Sequence, residues 1–163
     1  MPVYAQALSA DLAAADPAHK AEYDQRLQQF LASLAPIQAK VAALRGKYAG
    51  MPVTATEPVF GYMASALGLA MRNERFQLAV MNNTEPSASD VAAVETDLKQ
   101  HRVKLFIYNS QATDTAAQRL LRIAHQAKVP VIGVTETEPK GHNYQQWMLS
   151  QLDALDKALS THS

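Results

Sequence analysis

The clearest fold signal in the chain lies in residues 103–135, VKLFIYNSQATDTAAQRLLRIAHQAKVPVIGVT. Two apolar runs, VKLFIY at 103–108 and PVIGVT at 130–135, stand on either side of an amphipathic stretch at about 113–127. Near-continuous apolar runs of this length are typical of strands that are buried on both faces. A strand, a helix and a second strand in this order favour two parallel strands joined by a helical crossover.

The same alternation extends to both sides of this stretch. Further apolar runs occupy 52–56 (PVTAT) and 76–81 (FQLAVM), and further helical stretches lie at about 58–68 and 87–101. A last amphipathic helix is predicted at about 144–160. The sequence therefore predicts an α/β fold, with a four-stranded parallel sheet covered by helices on both faces.

The N-terminal part of the chain is predicted to be helical. Residues 3–15 are rich in alanine, and Asp16-Pro17 is a restart signal, because an N-cap residue precedes a proline at the first helical position. A long helix is expected over 17–48. Pro36 should kink this helix, since proline removes one backbone donor.

Composition places the chain among globular proteins. Its 163 residues are 48% hydrophobic and 18% charged, and 15 basic side chains balance 15 acidic ones. This balance gives no indication of nucleic acid or an anionic membrane as a partner. The chain has no cysteine, which excludes disulfides and thiolate chemistry. We divide it into a helical segment, 1–48, and an α/β lobe, 49–163.

The sequence predicts neither a membrane helix nor a signal peptide. No apolar run approaches the ~20 residues that a membrane helix needs. The N-terminus, MPVYAQALSADLAAADP, lacks the basic region and apolar core of a signal peptide. The chain as written is therefore not expected to be exported.

Polar residues follow each predicted strand. Ligands of open parallel sheets bind beyond the carboxyl ends of the strands, so these loops are the candidate site. Three of the four loops carry a carboxylate, and clustered carboxylates repel one another unless a cation neutralises them. A divalent metal is the simplest such cation. The loops are Thr56-Glu57-Pro58, Asn82-Asn83-Thr84-Glu85-Pro86, Asn109-Ser110-Gln111 and Glu136-Thr137-Glu138-Pro139.

Structural roles compete with this interpretation. Glu57 is able to cap a helix that starts at Pro58, and Glu85 lies in a stretch that reads as a helix start capped by Ser87 or Ser89. His142 shares the fourth loop with the candidate carboxylates, although an exposed histidine is the commoner case. Nucleotide-binding glycine motifs and a nucleophile elbow are absent from the sequence.

Three segments of the chain carry a family resemblance. PVTATEPVFGYMASALGL, NNTEPSASDVAAVETDLKQHRVKLFIYNSQ and VPVIGVTETEPKGHNYQQWMLSQLDAL occur in this order. Together they resemble the C-terminal lobe of the zinc/manganese ABC-transporter solute-binding proteins, the cluster A-I metal receptors. The resemblance implies two α/β lobes joined by one long helix, with a metal held between them on three histidines and one carboxylate.

The resemblance also implies which residues bind the metal. Glu57 stands where most members have a histidine, ahead of the Phe60-Gly61-Tyr62 motif. The second ligand is an acidic residue before the tyrosine of the last helix, here Glu136, with Glu138 and His142 as supplementary candidates. A carboxylate at Glu57 moves preference toward manganese or ferrous iron without excluding zinc.

The implied role is that of a metal-binding lobe and not of an enzyme. The full-length family is periplasmic and delivers its metal to the membrane permease of an ABC importer. The first half of the family fold has no counterpart here, as in a fragment, an internal start or a split gene, so binding should be weak. Two alternatives stay open: a small magnesium-dependent α/β enzyme and a metal-free assembly domain.

The absent half also leads us to expect self-association. On the family interpretation the long helix packs on two lobes, and its apolar stripe of Leu27, Leu31 and Leu34 is left uncovered. A two-fold dimer would bury that stripe.

Overall fold

The computed structural model describes residues 1–112 and 115–161. The chain divides into two compact units, Met1–Ala39 and Lys40–Ser163. These units are defined by their internal packing alone. The predicted domain boundary after residue 48 therefore remains a prediction. No helix among the described residues is both long enough and apolar enough to cross a membrane. The helices and strands, in chain order, are α1 (Pro2–Ala15), α2 (Lys20–Ser33), α3 (Ala35–Tyr48), β1 (Pro52–Ala55), α4 (Gly61–Ala66), β2 (Ala70–Arg72), α5 (Glu74–Met81), α6 (Ala88–Lys99), β3 (Leu105–Asn109), α7 (Thr115–Gln126), β4 (Val131–Val134) and α8 (Tyr144–Ser160).

The first unit contains two helices that lie against each other, α1 and α2. The predicted restart lies between them, where a 3₁₀ turn at Pro17–His19 follows Asp16. The Asp16 carboxylate makes no capping bond to the backbone. It lies 2.8 Å from Nδ1 of His19 and accepts a 3.1 Å bond from the hydroxyl of Tyr23.

The predicted long helix is interrupted close to Pro36. Helix α2 ends at Ser33 and α3 begins at Ala35, so only Leu34 separates them. Pro36 has no N–H for the carbonyl of Ala32, and its ring crowds that carbonyl. The predicted kink is confirmed and lies two residues ahead of the proline.

The sheet is parallel throughout, with strand order β2-β1-β3-β4. Val53 pairs with Leu105, and Ile107 pairs with Ile132. This register brings the carboxyl ends of β1, β3 and β4 to one edge. The predicted four-stranded parallel sheet is confirmed.

One predicted strand is wrong. Residues 76–81 belong to α5, and the remaining strand is the short β2 at Ala70–Arg72. Phe76 is buried while Leu78 and Met81 are about half exposed, a pattern that follows a helical period. A short apolar run does not distinguish a strand from a helix, and β2 lacks an apolar run because it is an exposed edge strand.

Helices cover both faces of the sheet. Phe106 packs in a cluster with Val94 of α6 and Leu120 of α7. Leu105 and Ile107 point to the opposite face, because side chains alternate along a strand, and both are buried. Helix α8 contacts β4 and buries three leucines. Each such leucine contributes about 1.5–3 kcal/mol to folding.

The stripe predicted to drive self-association is not an uncovered surface. Leu34 is only 3% exposed, and Leu27 and Leu31 are half-buried. Leu27 lines a groove beside α1, whose own Leu8 and Leu12 are more exposed than it is. Self-association therefore gains no support from this stripe.

Candidate metal-binding cleft

An open cleft of about 440 Å³ lies at the carboxyl edge of the sheet. Its lining residues include Glu57, two residues beyond β1, and Glu136, two residues beyond β4. Parallel strands bring these two carboxylates to one side of the fold, although they are 79 residues apart in sequence. The rest of the lining is largely apolar and comes from Pro58, Val59, Phe60, Tyr62, Met63, Met81, Thr135, Tyr144, Trp147, Met148 and Gln151.

Glu57 is held in the cleft by one amide. Its backbone is extended, with φ −146° and ψ 159°, and its side chain makes no capping bond to the turn that begins at Pro58. The side-chain amide of Asn109 donates to Glu57 Oε2 over 3.3 Å. The helix-cap interpretation of Glu57 is therefore wrong, and the carboxylate keeps further lone pairs for a ligand.

Glu136 is held through its backbone. Its N–H donates to Oε1 of Gln111 over 2.8 Å, while its carboxylate is exposed to solvent. The next N–H, of Thr137, donates to the same oxygen over 3.1 Å. The peptide is thus anchored while the carboxylate is left for other partners.

The two supplementary candidates lie elsewhere in the same loop. Neither Glu138 nor His142 is among the residues that line the cleft, and both are exposed. The N–H of His142 closes a turn on the carbonyl of Pro139, with Gly141 at φ 83°. Over residues 1–112 and 115–161, no three His, Asp or Glu side chains converge as a metal ligand set.

The second predicted loop does not lie at the end of a strand. Residues 82–86 follow helix α5, so the predicted position of this loop at the end of a strand is wrong, and Glu85 keeps the structural interpretation beside the start of α6. Ser87 is the N-cap of α6 and accepts a 3.1 Å bond from the N–H of Asp90, as the sequence predicts. The strand that does end here is β2, and Asn73 follows it in the left-handed conformation, φ 61°.

A buried carboxylate that the sequence did not reveal anchors β2. Asp97 of α6 is 3% exposed and accepts bonds from Arg72 Nε (2.8 Å) and Asn73 Nδ2 (2.9 Å). Burial opposes its ionisation, but these bonds outweigh burial and lower the pKa of Asp97. None of these three residues is among the cleft-lining residues, so we assign the group a structural role.

The family model described as the zinc-uptake complex component A, periplasmic, matches residues 1–158. The chain belongs to this family. A curated relative, the high-affinity zinc uptake system protein ZnuA of Bacillus subtilis, is 27% identical over 96% of the chain and 49% of its own length.

Solved structures of similar fold cover the chain almost completely. The periplasmic zinc-binding protein TroA of Treponema pallidum gives a TM-score of 0.74 at 18% identity, over 94% of this chain and 58% of that one. A Zn(II)-bound AdcAII variant of Streptococcus pneumoniae gives 0.77 at 19% identity, over 97% and 56%. The chain thus spans about half the length of the zinc-uptake relatives that it matches.

Within the described part of the chain, two groups in the cleft wall lack hydrogen-bond partners. The hydroxyl of Thr135 and the indole N–H of Trp147 are both inaccessible and unpaired. Trp147 meets Tyr144 edge to face, with ring centroids 6.4 Å apart. Burial raises the pKa of Tyr144, so its hydroxyl stays neutral in the physiological range.

Sequence reasoning missed the polar groups that support the two carboxylates. Gln111 and Asn109 were visible only as polar residues beyond β3. The signal that would have singled them out is their position at the carboxyl end of β3, the strand between β1 and β4, which brings them close to Glu57 and Glu136.

Proposed function

We propose that this chain is a metal-binding lobe of a divalent-cation solute-binding protein, with Glu57 and Glu136 as its ligands. One observation carries the proposal: two carboxylates from the ends of different strands line one cleft. Membership of a zinc-uptake family makes a metal ion the natural ligand of that cleft. The role is binding and release, without catalysis.

The ligand chemistry favours hard cations. Two carboxylates without imidazole suit manganese or ferrous iron better than they suit zinc, although zinc accepts carboxylates too. Structures of similar fold are described as Zn(II)-bound in AdcAII and as a complex with Mn²⁺ in FpvC of Pseudomonas aeruginosa. We propose a weak, exchangeable site in this chain, in which water completes the coordination shell.

In the full-length protein the site would be shared. We propose that a first lobe supplies the remaining ligands, and that the complete receptor works in the periplasm and delivers metal to the permease of an ABC importer. The relative from Bacillus subtilis is described as part of a high-affinity zinc uptake system.

The cleft gives no support to the magnesium-enzyme alternative. Phosphoryl transfer uses a cationic side chain or a glycine-rich cradle to bind phosphate. No Lys, Arg or His is among the cleft-lining residues in the described part of the chain. A metal-free assembly domain, the other alternative, would bind neither Mn²⁺ nor Zn²⁺, and a metal titration separates it from the proposed function.

Calorimetric titration of the chain with Mn²⁺ and with Zn²⁺ tests the proposal. We expect Glu57→Gln and Glu136→Gln each to lower affinity at least about tenfold, because a neutral amide is a far poorer ligand for a hard cation. Glu85→Gln removes the same charge from an exposed loop outside the cleft and is the matched control. If Glu57→Gln binds metal as well as the unmodified chain, Glu57 is not a ligand.

A further inference from the structure

The side chain of Gln111 links the loop after β3 to the loop after β4 at the carboxyl edge of the sheet. Its Oε1 accepts from the N–H of Glu136 (2.8 Å) and from the N–H of Thr137 (3.1 Å). Its Nε2 donates to the hydroxyl of Thr137 over 2.8 Å. Both ends of the amide are therefore used on the loop that carries Glu136.

The backbone of Gln111 continues this link toward the other carboxylate. Its N–H donates to Oδ1 of Asn109 over 3.0 Å. Because that oxygen accepts, the amide nitrogen of Asn109 is the end that faces Glu57, and it donates to Glu57 Oε2 over 3.3 Å. The backbone N–H of Asn109 is fixed in turn by the hydroxyl of Thr56, at 3.1 Å.

A continuous chain of hydrogen bonds thus runs from the carboxylate of Glu57 through Asn109 and Gln111 to the backbone of Glu136. The far end of the Glu136 loop is fixed separately, by the capping box of Asn143 and Gln146 at the start of α8. Gln111 fixes the near end of this loop, next to the carboxylate of Glu136.

We propose that Gln111 is the positioning residue of the metal site. It fixes the peptide of Glu136 and, through Asn109, the carboxylate of Glu57, so that both are ordered before the metal arrives. This inference rests on the proposed function. Partners of metal ligands commonly act in this way, because a preformed site does not have to be ordered when the ion binds.

The Gln111→Met variant removes the hydrogen bonds of the side-chain amide but keeps a side chain of similar length. In the metal-free chain we expect the N–H groups of Glu136 and Thr137 to exchange with solvent at least about tenfold faster. Mn²⁺ affinity, measured by calorimetry, should fall about tenfold. The midpoint of urea unfolding should stay unchanged, since Gln111 is exposed.

Two further variants complete the experiment. Gln111→Glu keeps an oxygen for both N–H groups, so slow exchange should return. Gln118→Met makes the same change at an exposed position of α7 and should alter neither exchange nor affinity.

Each contrary result is informative. Unchanged exchange of the two N–H groups in Gln111→Met would overturn the inference. Faster exchange with unchanged Mn²⁺ affinity, while Glu57→Gln loses binding, would overturn positioning and leave the proposed function standing. Equal Mn²⁺ binding by the unmodified chain and Glu57→Gln would overturn the proposed function and this inference with it.

Discussion

At the scale of single residues, the carboxylates are of two kinds: Asp97 is buried and fully paired, whereas Glu57 and Glu136 line the cleft. Asp97 is buried and held by Arg72 and Asn73. Glu57 has only one described partner, and the carboxylate of Glu136 is exposed. Buried carboxylates need full pairing, whereas a metal ligand must keep lone pairs free. The pairing pattern therefore separates the structural carboxylate from the two candidate ligands.

The Asp97 pair should make stability depend on pH. Because the pKa of Asp97 is lowered in the folded chain, its contribution is present above the unfolded pKa of about 3.9. That contribution is lost as pH falls through the folded pKa. We expect Asp97→Asn to lower the free energy of unfolding at pH 7 by about 2 kcal/mol, measured with urea.

Acidification should then reduce the stability difference between the unmodified chain and the Asp97→Asn variant. The gap in unfolding free energy between the unmodified chain and Asp97→Asn should narrow below about pH 4. Asp11→Asn, at an exposed position of α1, is the control for charge removal. A gap that stays constant from pH 7 to pH 3 would contradict the assigned pairing.

At the scale of elements, the start of α8 matters most for the cleft. Asn143 accepts from the N–H of Gln146 (2.9 Å), and Gln146 Oε1 accepts from the N–H of Asn143 (3.0 Å). This capping box fixes the first turn of the helix, which presents Tyr144 and Trp147 to the cleft. A helix terminus thus builds one cleft wall.

Removal of this cap should cost measurable stability. We expect Asn143→Ala to lower the free energy of unfolding by about 1 kcal/mol, because the first-turn N–H of Gln146 loses its acceptor. Asn143→Ser, which keeps a capping oxygen, should stay close to the unmodified chain. Urea denaturation followed by circular dichroism measures both. Equal stability of the alanine variant and the unmodified chain would show that the box is not formed in solution.

Elements also show how far the sequence alone can predict the structure. The runs at 52–56, 103–108 and 130–135 contain strands β1, β3 and β4. The central strands β1 and β3 are largely buried on both faces, whereas edge strand β4 buries Ile132 and Val134 on one face. The run at 76–81 is a helix, since a stretch this short fits either period. Edge strand β2 has one buried face at most, so its three residues carry no pattern.

The sequence predicted the two carboxylates of the candidate site but not the residues that hold them in place. Glu57 and Glu136 follow buried strands, so sheet topology alone brings them to one edge. Asp97, Asn109 and Gln111 act through partners that are distant in sequence, and no local pattern marks such pairs. The misplacement of the loop at 82–86 followed directly from the run at 76–81, which was predicted as a strand and is a helix.

At the scale of the whole molecule, the chain spans about half of the length of its curated relative and has a cleft at the carboxyl edge of its sheet. Two protein ligands with water make a weaker site than a closed set of four. We therefore expect a hard cation to bind here, weakly and at a defined place.

Paramagnetic broadening of backbone amide signals by Mn²⁺ tests this claim most directly. In the unmodified chain, broadening should centre on the amides next to Glu57 and Glu136, and it should disappear from both places in Glu57→Gln. Glu85→Gln should broaden as the unmodified chain does. Broadening that centres elsewhere, or that persists at Glu136 in Glu57→Gln, would contradict a shared metal site in this cleft.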